Sequence, residues 1–138
     1  MSILVRKQFS FLIHEKKFSQ LLNLLADNSI NITGLQLNYD CHNRYDVNMV
    51  VGLSESTEFD KEYNRQLKKY LKNLGVRYKK NKIIQVISFV SGTPGVFRNI
   101  YNMLYKKVKI LNSYLGENNK RFLYVNNTKK AIKILTEN

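Results

Sequence analysis

The sequence predicts an α+β chain of two tandem βαββαβ repeats, the second short of its last strand, and three observations predict it. Apolar residues fall in short runs bounded by polar clusters, the layout of compact sheet-and-helix units. Their spacing alternates between a period of two and a period near 3.6, the signatures of strands and helices. After Lys80-Asn81-Lys82 the pattern begins again, which is how an internal repeat shows itself.

In the first repeat, Val5 to His14 reads as a strand, with Phe9, Phe11 and Ile13 alternating with Ser10 and Leu12. From Lys16 to Asn28 the period changes: Phe18, Leu21, Leu22 and Leu25 stand at i, i+3, i+4 and i+7 and mark one face of a helix. Ile32 to Asp40 and Arg44 to Gly52 are two further strands, joined by a hairpin turn at Asp40-Cys41-His42-Asn43. A second helix runs from about Glu58 to Leu74 with a buried stripe of Phe59, Tyr63, Leu67, Tyr70, Leu71 and Leu74, and Gly75 stands where it should end. Val76 to Lys80 is the fourth strand. Two βαβ crossovers then put both helices on one face of an antiparallel sheet.

The second repeat opens with Ile83 to Val90 as a strand and Ser91-Gly92-Thr93-Pro94-Gly95 as a loop. Val96, Ile100, Met103 and Leu104 mark a helix ending near Lys107. Val108 to Leu115 and Lys120 to Val125 are strands joined by Gly116-Glu117-Asn118-Asn119, and Thr128 is expected to cap a last helix carrying Ala131, Ile132 and Leu135. The repeats divide the chain into residues 1–81 and 82–138.

At 138 residues and 43% hydrophobic content, the chain has material for one ordinary domain or two closely packed half-size repeats. No stretch approaches the roughly 18 apolar residues of a membrane span, and charge follows the first apolar run instead of preceding it, so neither a span nor a secretory signal is expected. The single cysteine, Cys41, can form no internal disulfide, which fits a reducing compartment; the expected location is the cytoplasm.

These residues resemble the ACT domain family, small regulatory modules with a ferredoxin-like fold that often bind amino acids at paired-domain interfaces. Phe18 to Ile32 looks like the family's first helix followed by its "Gly-Ile-Asn-Ile" entry to strand two. Thr93-Pro94-Gly95-Val96-Phe97 looks like its Pro-Gly-apolar turn, and Leu123-Tyr124-Val125 with Lys130 to Leu135 looks like its closing strand and helix. The resemblance implies a non-catalytic, small-molecule-binding regulatory protein, with an amino acid as ligand and a homodimer as the assembly. There are departures. Glu15 and Lys16 stand where the first repeat should have Pro-Gly, and Lys109 replaces the Asn of the second repeat's "Asn-Ile" step.

The candidate ligand site is Gly92, Thr93, Pro94, Gly95, Val96 and Phe97, with Asn31 and Ile32 of the other repeat alongside. A glycine turn ahead of a helix offers backbone N–H groups and a positive dipole end to a carboxylate. Asp40, Cys41, His42 and Asp46 crowd one hairpin but lack the second spaced pair of a metal site, and His14 has no acidic or nucleophilic neighbour in sequence. No Ser-centred elbow, P-loop or catalytic constellation stands out, so no enzyme activity, metal or cofactor is expected.

The formal charge of +13 raises an alternative, a nucleic-acid-binding protein. Lys61, Arg65, Lys68 and Lys72 line one face of the second helix, and Arg77, Lys79, Lys80 and Lys82 continue the patch. Such a face is also what the solvated side of an amphipathic helix looks like, and codon bias toward Lys and Asn would give the same composition. The missing fourth strand of the second repeat leaves Ile83 to Val90 without its usual neighbour. Either Val76 to Lys80 folds back beside it or a second chain pairs with it, and the dimer is the expected outcome.

Overall fold

The structure, a computed structural model, describes residues 1–89 and 92–137. Val90 and Ser91, expected to end a strand and open a loop, lie outside the described residues. The elements are β1 (Ile3–His14), α1 (Glu15–Asp27), β2 (Ile32–Asp40), β3 (Arg44–Val51), α2 (Asp60–Asn73), β4 (Lys79–Val86), α3 (Val96–Leu104), β5 (Ile110–Leu115), β6 (Arg121–Val125) and α4 (Thr128–Thr136). The strands follow the order β2-β3-β1-β4-β6-β5, antiparallel in the pairs β2·β3, β1·β3, β4·β6 and β5·β6. Contacts divide the chain into two units. One is Lys7–Asn81, and the other joins Met1–Arg6 to Lys82–Asn138.

In the Lys7–Asn81 unit, period-two alternation along β1 and β3 sends Phe9, Phe11, Ile13, Val47, Met49 and Val51 to one face. The apolar stripes of α1 (Phe18, Leu21, Leu25) and α2 (Leu67, Tyr70, Leu71) cover that face and complete the core. Both helices end on the same device. The N–H of Val76 donates to Leu71 and that of Gly75 to Lys72, while the N–H of Ile30 donates to Leu25 and that of Ser29 to Ala26. This pattern needs a left-handed residue, supplied by Gly75 at φ 70° and by Ser29 at φ 57°. Ser29 thus takes the backbone conformation of the glycine in the "Gly-Ile-Asn-Ile" pattern.

In the second unit, Ile84, Val86, Leu123 and Val125 face Ile100 and Leu104 of α3 and Ala131 and Leu135 of α4. On the opposite face Tyr114 stacks on Phe122, with ring centres 5.4 Å apart. The strand order here is β1-β4-β6-β5, so the place of the fourth strand, beside β4, is taken by the first residues of β1. The Ile87 N–H donates to Ser2 at 3.0 Å, and the buried Arg6 donates to Gln85 at 2.8 Å.

Three expectations are corrected. Val76 to Lys80 and Ile83 to Val90 are not two strands with a turn between them; β4 runs unbroken through Lys80, Asn81 and Lys82. None of these three residues has positive φ, and with no Gly or Pro to break the chain, polar side chains simply take exposed or half-buried strand positions. The neighbour that the second repeat lacked is therefore β1, neither a folded-back hairpin nor a second chain. Finally, α4 is capped by Asn127, whose side chain accepts from the Lys130 N–H at 3.1 Å, one residue before the expected Thr128.

Candidate functional site

The β4-to-α3 connection brings five of the expected residues, Gly92, Thr93, Gly95, Val96 and Phe97, into one open cleft of about 460 Å³. Phe89, Leu115, Asn119 and Arg121 complete its lining, whereas Pro94 is exposed and outside it. Gly92 and Gly95 have φ of 83° and 82°, a conformation that residues with a Cβ rarely adopt. At Gly95 an added Cβ would also come within 3.0 Å of the Arg98 guanidinium.

Gly95 is the cap residue of α3 and brings no side-chain acceptor, and no acidic residue stands in the helix's first turn. The first N–H groups of a helix have no partner within it, so α3 begins, at the cleft that Val96 and Phe97 line, with donors its own turns do not use and a positive dipole end. The opposite wall is cationic as well. Arg121 opens β6, with its guanidinium 4.6 Å from the centre of the Phe97 ring and Nη1 donating to the Ser113 hydroxyl at 3.3 Å. Partial burial lowers its pKa, but a guanidinium remains charged throughout the physiological range. Lys120 lies 5.3 Å from the centre of the Phe89 ring and donates to the Phe89 carbonyl at 3.3 Å, which ties β6 to the end of the β4 segment. The cleft thus sets a helix start and a guanidinium beside an aromatic and aliphatic lining.

Asn31 and Ile32 lie in the Lys7–Asn81 unit, lining a separate depression with Leu22, Ala26 and Ile30. Asn31 is engaged locally: its side chain donates to the Gly52 carbonyl at 2.9 Å, and its own carbonyl accepts from the Gly52 N–H at 2.9 Å. Arg121, Leu115 and Asn119 were not foreseen. Their signal in the sequence is faint, a basic pair opening a strand and a polar turn before it, and only the antiparallel pairing of β5 with β6 carries them to the glycine turn.

The remaining candidates are accounted for locally. Asp40 accepts from the Cys41 N–H and from Arg44, each at 2.9 Å; the Cys41 bond first, then Arg44, holds its carboxyl below the usual range. Among the described residues no three His, Cys, Asp or Glu side chains come together as a metal-binding group, and no helix is long and apolar enough to cross a membrane. Arg65 on the basic face of α2 is bound to Glu62 at 2.6 Å.

No protein-family profile matches the chain, nor does any curated protein. Solved structures do. Protein BT0572 from Bacteroides thetaiotaomicron superposes with a TM-score of 0.75 at 19% identity, over 98% of this chain and 89% of that one. The ligand-free regulatory subunit of aspartate kinase from Thermus thermophilus gives 0.59 at 12% identity, over 99% and 96% of the two chains. E. coli aspartokinase III in complex with lysine and aspartate gives 0.53 at 14% identity; it matches 99% of this chain but only 32% of its own length. With the ferredoxin-like strand order found in each unit, these likenesses establish the ACT-like α+β fold that the sequence motifs imply.

Proposed function

We propose that the chain is a non-catalytic regulatory protein that binds an amino acid in the cleft between the Gly92–Phe97 turn and Arg121. The observation that carries this reading is a helix start with no side-chain cap among the described residues and a guanidinium lining the same partly apolar cleft. A carboxylate between them would receive backbone N–H bonds from α3 and a charge-assisted bond from Arg121. Thr93 and Asn119 supply polar groups suited to the ammonium end, and Val96, Phe97 and Leu115 supply a surface for the side chain. The volume is in the range of small-molecule sites. An aspartokinase of this fold has been solved with lysine and aspartate, which supports an amino acid as the ligand class.

The same reading makes the chain a homodimer. The β4 edge offers no place for a second chain, because β1 fills it. A different surface supports the dimer: Phe97 and Tyr101 on α3 and Tyr105 at its end stand exposed, Tyr101 and Tyr105 stacked 5.3 Å apart, and Leu111 and Leu115 are exposed on the end strand β5. Rows of exposed aromatics and aliphatics beside an unpaired strand edge mark interaction surfaces.

The test is a thermal-shift screen of the common amino acids, since a ligand at about 100 times its Kd stabilises the native state by about 2.7 kcal/mol. A rise with one or a few amino acids is expected; no rise with any would defeat the reading. For the assembly, light scattering should give about twice the 16.2 kDa chain mass, falling to the monomer in Tyr101→Lys/Leu115→Lys. A wild-type monomer that persists on concentrating would remove the dimer.

A further inference from the structure

The basic residues of the Lys7–Asn81 unit form more than a solvated helix face. Arg65 leaves the expected stripe, because its guanidinium is bound by Glu62. What remains gathers from three elements: Lys68 and Lys72 from α2, Lys80 from β4 and Lys7 from β1. Lys68 has cations for its neighbours. Lys80 lies beside it, and that neighbour first, then desolvation and the charge of Lys7, lower its pKa. Beside this group Lys68, Lys72 and Arg77 rim a cleft of about 510 Å³ whose floor includes Val76 and Tyr78.

A solvated charged face normally spaces its cations apart or interleaves them with carboxylates, as Glu62 and Arg65 do one turn earlier on α2. Ammonium groups drawn together from separate elements cost repulsion that an anion would relieve. Lys68, Lys69, Lys72 and Arg77 share one cleft, and Lys80 and Lys7 add to Lys68 from two strands, so several phosphates match this set better than one isolated anion. Tyr78, half-buried with its ring against Phe9, brings an aromatic group to the lining, a group on which a base can stack.

We propose that this groove binds single-stranded nucleic acid through its phosphate backbone, at a site separate from the glycine-turn cleft. The contacts are electrostatic and carry no sequence preference, and binding neither needs nor reports the amino-acid reading above.

The test is fluorescence anisotropy of a labelled oligo-dT across a series of KCl concentrations, using the whole chain. About four phosphate contacts predict a log–log salt slope near −3. Lys68→Glu/Lys72→Glu should weaken binding at least tenfold and flatten that slope. Its control is Lys129→Glu/Lys133→Glu, which places the same two changes four residues apart on the exposed face of α4 and removes the same charge. Lys68→Gln/Lys72→Gln provides a milder variant with a smaller loss in the same direction, and circular dichroism checks all three for folding. The proposal is overturned if the control weakens binding as much as the groove variant, since the total charge alone would then be responsible. Equal or tighter competition by poly-glutamate, or by duplex DNA of the same length, would also overturn it.

Discussion

The two strand-to-helix connections, β1 into α1 and β4 into α3, stand at equivalent places in the two units and could hardly differ more. In the first, the strand ends and the helix begins without a loop: His14 is both the last residue of β1 and the cap of α1. Its Nδ1 accepts from the Lys16 N–H at 3.2 Å, the Glu15 N–H donates to the Asn43 carbonyl at 2.9 Å, and Glu15 puts a negative charge into the first turn. Two of the first-turn amides are thus already bonded, and Glu15 opposes an anion there. In the second, a glycine turn leads to a helix with no first-turn acid and, among the described residues, no side-chain cap, and Arg121 lines the same cleft. One fold thus carries two differently furnished helix starts, and the proposed ligand site uses the second.

The sharpest way to break this comparison is at Gly95. Gly95→Val forces a β-branched residue to φ 82° and places its Cβ against Arg98, at a strain of roughly 1–3 kcal/mol. Amino-acid binding by calorimetry should disappear, while Lys16→Val at the equivalent place in the first unit leaves it intact. Equal loss in both variants, with folds preserved, would erase the distinction. Arg121→Gln should come next. It leaves the amide donors of α3 but removes the charge-assisted bond, for an expected loss of about 10- to 100-fold in Kd.

Smaller effects sharpen the account of the first unit as scaffold. Ser29 occupies the glycine conformation at φ 57° with a Cβ in place, so Ser29→Gly should raise Tm by about 3 °C, corresponding to roughly 1 kcal/mol. Ligand affinity should stay unchanged; a shift in Kd would bring the Ser29 to Ile32 segment back into the site.

The smallest expected effect is at Glu62. Hydrogen bonds from Arg65 and then Gln66 hold its carboxyl down to about 2, against an ordinary value of 4.5. A depressed pKa contributes stability that is present above the unfolded value and lost as pH falls from about 4.5 toward 2. Because the pair is exposed, the Tm difference between wild type and Glu62→Gln should be small at neutral pH, shrink with salt and vanish near pH 2. An NMR titration of Glu62 with its midpoint at an ordinary glutamate pKa would contradict the pairing.

How much of this was legible in the sequence follows from which interactions are local. The period of Phe18, Leu21 and Leu25 placed α1, and the turn at Asp40 to Asn43 placed the β2–β3 hairpin, because both depend on residues a few positions apart. The glycine turn was legible for the same reason. The continuity of β4 was not: Lys80-Asn81-Lys82 reads as a turn by composition, and only pairing to distant strands holds it extended. Nor could the sequence show that residues before Lys7 complete the unit formed by Lys82 onward, since β1 reads as one uninterrupted strand. Half of the cleft had to stay hidden likewise, because Arg121 meets Phe97 only through the packing of β6 beside α3.

The most direct measurement is an NMR titration of the ¹⁵N-labelled chain with whichever amino acid gives the largest thermal shift. The amide signals of Val96, Phe97 and Arg98 should move together and saturate, accompanied by the Arg121 side chain, while those of Glu15, Lys16 and Lys17 stay in place. Movement of the Glu15 to Lys17 amides to the same extent, or no movement at Val96 to Arg98, would contradict the claim that the open helix start of the second unit is the ligand site.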